Sequence, residues 1–162
     1  MKIENLKVED IKNCLDIYNY YILNTTNTLE EDALSIDSFK NRCLSIQKEF
    51  PFIVIKNDND QILGYAYLHK FHERSAYRRT VELSIYVSKD HLKEHIGTML
   101  LEQIEKLAKD LGYTNIISII TSENIGSIKF HEKHGYLLEG HLKNVAFKFN
   151  RDISVYYYRK HI

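Results

Sequence analysis

The chain of 162 residues is 44% hydrophobic and 27% charged, a composition typical of a soluble globular protein. Its 22 lysines and arginines balance 22 aspartates and glutamates, so no overall positive charge favours nucleic acid as a partner. The sequence has no apolar run long enough to span a membrane and no signal-peptide pattern. Cys14 and Cys43 lie at no metal-ligand spacing, so we expect reduced thiols. These features predict one cytoplasmic domain over residues 1–162.

The first third of the chain predicts a strand followed by two helices. Residues 2–6 have strand character, and apolar residues then recur at helical spacing over 8–23. The polar stretch 24–27 ends this helix, and residues 35–37 offer N-cap candidates for a second helix. Pro51 ends that region.

Two β-rich runs, 52–56 and 62–69, come next and flank the turn-forming residues 57–60, which predicts a hairpin. The charged loop 70–79 leads into a strand over 80–87, in which apolar and polar residues alternate.

After that strand, a polar turn leads into a helix over 96–111, where apolar residues recur every three or four positions, and Gly112 is placed as its C-cap. The first turn of such a helix has free N–H groups and a positive dipole end, which suit a phosphate. Glu82, on the preceding strand, places a carboxylate close to this anion site.

The last part of the chain predicts a central strand, a helix and the closing strands. Residues 115–121 are apolar on both sides, as in a strand covered on both faces. Asn124 and Gly135 are placed to begin and to end a helix. The closing strands are predicted at 136–141 and 145–160, with a turn at 150–152. The order β-α-α-β-β-β-α-β-α-β-β predicts a mixed α/β fold, a twisted sheet with helices on both faces.

Asn124, Ser127, His131 and Gly135-Tyr136 follow the strand–turn–helix stretch in an order that resembles the GNAT superfamily of acyl-CoA-dependent N-acetyltransferases. A closer resemblance is to the phosphinothricin (methionine sulfone) acetyltransferase branch. It rests on Tyr18-Asn19, Thr28, Gly64-Tyr65-Ala66, Arg74, Ala76-Tyr77, the strand from Thr80 to Val87, and His131-Glu132. The resemblance spans nearly the whole chain. It implies a GNAT-like, mostly antiparallel sheet, with acetyl-CoA as co-substrate.

The resemblance also implies where coenzyme A binds. The strand residues Ile85, Tyr86 and Val87 pair with its pantetheine arm, and Asn124 and Ser127 lie near that arm. The pyrophosphate is expected on the loop Lys93, Glu94, His95, Ile96, Gly97 and Thr98.

This loop departs from the family pattern Gln/Arg-x-x-Gly-x-Gly/Ala. Leu92 replaces the cationic or amide residue, and His95 replaces the first glycine. Because backbone N–H groups hold the pyrophosphate, the loop keeps its function if His95 accepts left-handed backbone angles. The alternative is a loop that no longer binds CoA tightly.

Glu82 is the candidate general base. It shares a strand face with Ser84 and Tyr86, and a polar face on a strand expected to be covered by helices indicates a site. The alternative is a buried salt bridge to Arg78 or Arg79. The pattern leaves both open, and the resemblance favours the catalytic interpretation.

His131 has two interpretations as well. By pattern, a histidine on a semi-apolar helix face is a core residue. By resemblance, it occupies the position of the group that protonates the leaving thiolate, and an imidazole of ordinary pKa can act as acid or base. His91 and His95 are four residues apart, whereas His131 and His134 are three apart and not the four of the zinc motif H-E-x-x-H. No obvious third ligand follows, so no metal is expected.

The acceptor is expected to be a small molecule with an amine, of the phosphinothricin or methionine sulfone/sulfoximine type. Arginines in the loop 70–79 suit anionic or strongly polar oxygens, and the resemblance places Thr28, Tyr65, Arg74 and Tyr77 around the acceptor. The alternatives are a non-catalytic acyl-CoA-binding or regulatory domain and a protein N-acetyltransferase. The resemblance and the aromatic C-terminal strands predict a homodimer.

Overall fold

The computed structural model describes residues 1–92 and 94–162. Its seven strands are β1 (Lys2–Asn5), β2 (Phe52–Lys56), β3 (Ile62–Lys70), β4 (Thr80–Val87), β5 (Asn115–Thr121), β6 (Leu137–Lys148) and β7 (Arg151–His161). They form one sheet in the order β1-β2-β3-β4-β5-β7-β6. Neighbouring strands are antiparallel except for β4 and β5, which run parallel. The predicted mixed, mostly antiparallel α/β sheet is confirmed.

The described residues form four α-helices, α1 (Ile11–Asn24), α2 (Ile36–Gln47), α3 (Ile96–Asp110) and α4 (Ile125–Lys133). They bury two separate cores, one on each face of the sheet. Alternate residues of β2 show why this strand is apolar throughout: Phe52 and Val54 join the α1–α2 core, whereas Ile53 and Ile55 join the core under α3. The predicted arrangement of helices on both faces is therefore confirmed.

Local signals explain several helix ends. The Ser35 side chain accepts a hydrogen bond from the backbone N–H of Ser38 and caps α2. Gly112 and Gly135 adopt φ of +86° and +85° just after α3 and α4, where only glycine takes this conformation without strain. Cys14 and Cys43 are free and buried, as predicted. No helix in the described part of the chain is long and apolar enough to cross a membrane.

The closing strands differ from the prediction in two places. β6 continues across residues 142–144, where a break was expected: Leu142 still pairs with Val155, and a bulge between Leu142 and Ala146 includes Asn144 at φ 53°. The hairpin turns at Phe149 and Asn150, with φ of 51° and 58°, and not at 150–152. Arg151 is consequently the first residue of β7.

The two central strands separate partway along their length. β4 and β5 pair only through Thr80, Glu82 and the residue between them, after which β4 continues beside β3 and β5 beside β7. The prediction that both faces of β5 are covered is wrong at Ile119. Its side chain is 37% exposed because it borders the opening between the strands.

Candidate active site

A cavity of about 790 Å³ opens where β4 and β5 separate. Its walls come from β4, β5, the loop between α1 and α2, and the first turns of α3 and α4. Most of the site residues expected from the sequence line it. They are Thr28, Glu82, Ile85, Tyr86, Val87, His95, Ile96, Gly97, Thr98, Asn124, Ser127 and His131.

The remaining expected residues lie elsewhere. Tyr65 is fully buried in the α1–α2 core, stacked on Phe52 with ring centroids 5.6 Å apart, so its expected place at the acceptor is corrected to a core position. Arg74 and Tyr77 line a separate depression of about 280 Å³. The exposed Glu94 side chain contacts His91 at 3.3 Å.

The prediction for Lys93 falls outside the described residues. Of the four expected acceptor residues, Thr28 alone lines the large cavity among the residues that the structure describes.

Glu82 lies in the cavity wall and is the last residue of β4 that pairs with β5. Its side chain is 21% exposed, and burial raises the pKa of its carboxyl group to about 7. His69 is its cross-strand neighbour, with Nε2 3.6 Å from Oε1, and burial lowers the pKa of that imidazole. Near neutral pH this pair therefore contains a neutral histidine and a carboxyl group that readily exchanges its proton.

The alternative salt bridge of Glu82 to Arg78 or Arg79 is absent from the described residues. Arg78 instead donates to the carbonyl oxygen of Ser75 at 3.4 Å. A carboxylate without a guanidinium partner keeps its raised pKa, as a general base requires.

The two faces of β4 meet different surroundings, as the alternation of the sequence predicted. Tyr86, on the face of Glu82, packs edge-on against Tyr18 of α1 with ring centroids 5.1 Å apart. Ile85 and Val87 pack against the α3 core on the opposite face. The cavity thus connects two sides of the sheet through the gap beside β4.

The start of α3 has the geometry of an anion site. His95 precedes the helix with φ 61° and ψ 6°, so it adopts the left-handed backbone on which the loop's function was expected to depend. No side chain caps this end among the described residues, so the first N–H groups of the helix remain available to a ligand.

Thr98 connects this helix start to α4. Its hydroxyl lies 3.3 Å from Nε2 of His134, whose Nδ1 lies 2.7 Å from the carbonyl oxygen of Phe130. Because Nδ1 must donate to that carbonyl, Nε2 accepts from the threonine hydroxyl. The start of α3 is therefore joined directly to the end of α4, where His134 is the C-cap residue.

His131 is only 2% exposed, yet it borders the cavity. Its Nδ1 lies 2.8 Å from the carbonyl oxygen of Ser127, so this nitrogen carries the proton. Nε2, on the opposite edge of the ring, has no hydrogen-bond partner among the described residues. Burial lowers the pKa of the imidazole to about 4, which corrects the expectation of an ordinary value.

Asn124 caps α4, since its side-chain oxygen accepts from the backbone N–H of Ser127 at 3.1 Å. Its amide NH₂ group remains a donor beside the cavity. A role in helix capping and a role in ligand binding are therefore compatible for this residue.

Two features, one beside the cavity and one in its wall, were not predicted from the sequence. Thr26 donates to Glu123 at 2.7 Å, and Arg151 binds the same carboxylate, which ties the α1–α2 loop to the start of α4 and to the β6–β7 turn. Ser118 and Thr121 of β5 border the cavity with buried hydroxyls. The two hydroxyl residues within the otherwise apolar run 116–121 were the available signal for the second feature.

Three comparisons relate this chain to known proteins. A family model described as an acetyltransferase (GNAT) domain matches residues 3–156. A phosphinothricin N-acetyltransferase of Alcaligenes faecalis is 31% identical over 148 residues, 90% of this chain and 75% of that protein. An L-methionine sulfoximine/L-methionine sulfone acetyltransferase of Pseudomonas aeruginosa is 29% identical over 153 residues, 92% of this chain and 87% of that protein.

The fold comparison agrees. A crystal structure of a GNAT superfamily phosphinothricin acetyltransferase from Sinorhizobium meliloti in complex with AcCoA superposes with a TM-score of 0.95 at 28% identity. The match covers 99% of this chain and 88% of the other.

Proposed function

Since the chain belongs to the GNAT acetyltransferase family, we propose that it transfers an acetyl group from acetyl-CoA to the amine of a small amino-acid-like molecule. The acceptor class is that of phosphinothricin and methionine sulfone or sulfoximine, after the names of the relatives. One observation carries the proposal: a single cavity contains both a carboxyl group with a pKa of about 7 and an uncapped helix start.

The donor side of the proposal fits the residues present. Free backbone N–H groups at residues 96–98 suit a pyrophosphate, because their dipoles converge on the helix start. Ile85, Tyr86 and Val87 lie on β4 beyond its last pair with β5, so this segment can pair with an extended pantetheine arm. The amide of Asn124 and the hydroxyl of Ser127 supply further polar contacts.

Glu82 performs the proton transfer in this proposal. The amine nitrogen attacks the thioester carbonyl carbon, the C–N bond forms, and the C–S bond breaks with its electron pair on sulfur. The proton lost by nitrogen goes to the Glu82 carboxylate, directly or through water, and a backbone N–H of β4 stabilises the oxyanion.

His131 is proposed to lie beside the sulfur. To act as the leaving-group acid it would first need a proton on Nε2, and its pKa of about 4 disfavours that state at neutral pH. The neutral ring instead offers a lone pair that accepts a hydrogen bond from the thiol of free CoA.

A homodimer through β6 is part of the proposal. β6 is an edge strand of the sheet, and several of its large apolar side chains are about half exposed or more. They are Leu137, Leu138, Val145 and Phe147. An exposed edge of this length favours pairing or packing with a second copy.

Light scattering at low micromolar concentration tests the proposed homodimer. A mass near 38 kDa, about twice one chain, is expected, and a mass near 19 kDa alone would contradict the dimer.

A panel of amines assayed for CoA thiol release tests the function. Phosphinothricin, methionine sulfone and methionine sulfoximine are expected to give the highest kcat/KM. Spermidine, an aminoglycoside and a peptide N-terminus are the contrasts. Release with the peptide alone would assign a protein N-acetyltransferase, and CoA binding without release on any amine would assign a non-catalytic binding domain.

A further inference from the structure

Buried polar atoms without partners occur together at the cavity. Among the described residues these are the hydroxyl oxygens of Ser118 and Thr121 and Nε2 of His131, on side chains no more than 4% exposed. A buried hydroxyl or imidazole nitrogen without a hydrogen bond is costly, and native proteins seldom keep one unless a ligand completes it.

Ser118 and His131 lie on the same side of the sheet. Ser118 shares its strand face with Ile116 and Ile120, which belong to the α3 core. His131 packs edge-on against Tyr136 of that core, with ring centroids 5.0 Å apart. Glu82 is on the opposite face of the sheet, toward α1 and α2.

Thr121, three residues along β5, belongs to the other strand face with Ile119. The cavity reaches both hydroxyls because it passes through the gap between β4 and β5.

The hydrogen-bonding capacities of Ser118 and His131 differ. Nδ1 of His131 is committed as donor to the Ser127 carbonyl oxygen, so Nε2 can only accept. The hydroxyl of Ser118 can both donate and accept. A sulfur that becomes negatively charged needs a donor, and of these two residues Ser118 is the one that supplies it.

We propose that the Ser118 hydroxyl donates a hydrogen bond to the sulfur of CoA as the C–S bond breaks, which makes Ser118 a further catalytic residue. This inference rests on the proposed function. Ser118 keeps its own proton throughout. The electron pair of the C–S bond goes to the sulfur, and the proton lost by the attacking nitrogen goes to Glu82.

Ser118→Ala is the first test, because it removes the hydroxyl and keeps the strand. We expect kcat to fall roughly 10- to 100-fold, the range for a hydrogen bond to a charged group, with KM for acetyl-CoA nearly unchanged. In the binary complex with CoA, the pKa of the bound thiol, followed by thiolate ultraviolet absorbance, is expected to rise. Ser118→Thr, which restores a hydroxyl, is expected to recover part of both effects.

Thr121→Val is the matched control, since it removes a buried, unpartnered hydroxyl of the same strand from the other face. The pKa of the bound thiol is expected to remain at the wild-type value. A second comparison uses desulfo-CoA: Ser118→Ala should weaken CoA binding at alkaline pH, where the thiol is ionised, and leave desulfo-CoA affinity unchanged.

If Ser118→Ala had the same kcat as the wild type and an unshifted pKa of the bound thiol, the inference would be overturned. Turnover by the wild type would still leave the proposed function intact. Equal weakening of CoA and desulfo-CoA would also overturn it, because it indicates a structural effect. If the wild type released no CoA with any amine, the proposed function would fail, and the thiol pKa in the binary complex would still test the Ser118 contact.

Discussion

Glu82 and His131 border one cavity from opposite faces of the sheet, and burial shifts their pKa values in opposite directions. It raises the pKa of the Glu82 carboxyl to about 7 and lowers the pKa of the His131 imidazole to about 4. The cause is the same, since a poorly solvated environment favours the uncharged form of each group. For a carboxyl that form carries the proton, and for an imidazole it does not.

The difference separates two chemical tasks. At neutral pH Glu82 is partly ionised and exchanges protons with little cost, which suits the amine side of the reaction. His131 stays neutral across the physiological range, with its one proton on Nδ1, which donates to the Ser127 carbonyl oxygen. The sulfur side therefore relies on hydrogen bonding, and the amine side on proton transfer.

The largest expected effect is that of Glu82→Gln, which keeps the shape and removes the basicity. We expect kcat to fall by roughly 10²–10⁴, the usual contribution of a general base, with CoA affinity nearly unchanged by calorimetry. Normal activity per folded molecule in an otherwise destabilised variant would assign Glu82 a structural role instead.

Two substitutions of His131 distinguish a proton donor from a hydrogen-bond acceptor. His131→Ala is expected to lower kcat several-fold, because the ring packs against Tyr136 beside the sulfur site and accepts a hydrogen bond from the thiol of the CoA product. His131→Gln presents an amide oxygen near the position of Nε2 and is expected to recover most of that loss. Equal loss in both variants, measured per folded molecule, would favour the acid role implied by the family resemblance.

A smaller effect is expected in the pH dependence of stability. The folded-state pKa of Glu82 is raised from about 4.5 to about 7, so the folded protein binds more protons in this interval. The contribution of Glu82 to stability is full below about pH 4.5 and is lost as pH rises through 7. In urea unfolding from pH 5 to 7.5, Glu82→Gln is expected to remove this decline. An identical decline in wild type and variant would contradict the raised pKa.

The smallest expected effect is that of His95→Gly. Relief of left-handed strain, about 1–2 kcal/mol, is partly offset by about 0.5–1 kcal/mol of added chain entropy. We therefore expect a modest gain in stability. CoA binding is expected to be a few-fold tighter than a wild-type affinity in the micromolar range, because glycine removes the side chain that lines the cavity beside the start of α3. Asn144→Gly, also at positive φ but on β6, is the control that should leave CoA binding unchanged. Weaker CoA binding by His95→Gly would show that the imidazole itself contacts the ligand.

Local signals in the sequence predicted most of the fold and many of the residues that line the cavity. The alternation around Glu82 and the capping positions of Asn124 and Gly135 depend on neighbouring residues, which a sequence displays directly. The left-handed backbone of His95 was a condition that the family loop set, and the sequence alone did not decide it.

The acceptor residues were predicted less well because they depend on tertiary packing. Nothing local indicates that Tyr65 is buried beneath α1, or that the loop carrying Arg74 and Tyr77 borders a different depression. The turn at Phe149 was missed for a different reason, since phenylalanine seldom adopts a positive φ. The separation of β4 from β5 is a property of strand pairing, and no residue pattern marks its position.

The pH dependence of kcat/KM in wild type and Glu82→Gln, with methionine sulfone as acceptor and saturating acetyl-CoA, tests the division of tasks most directly. The ionisation of the acceptor amine is common to both proteins, so the difference between the two profiles isolates Glu82. We expect an ionisation near pH 7 in the wild type that is absent from Glu82→Gln, with no further ionisation near 6.5 from His131. An ionisation near pH 7 that persists unchanged in Glu82→Gln would contradict the account.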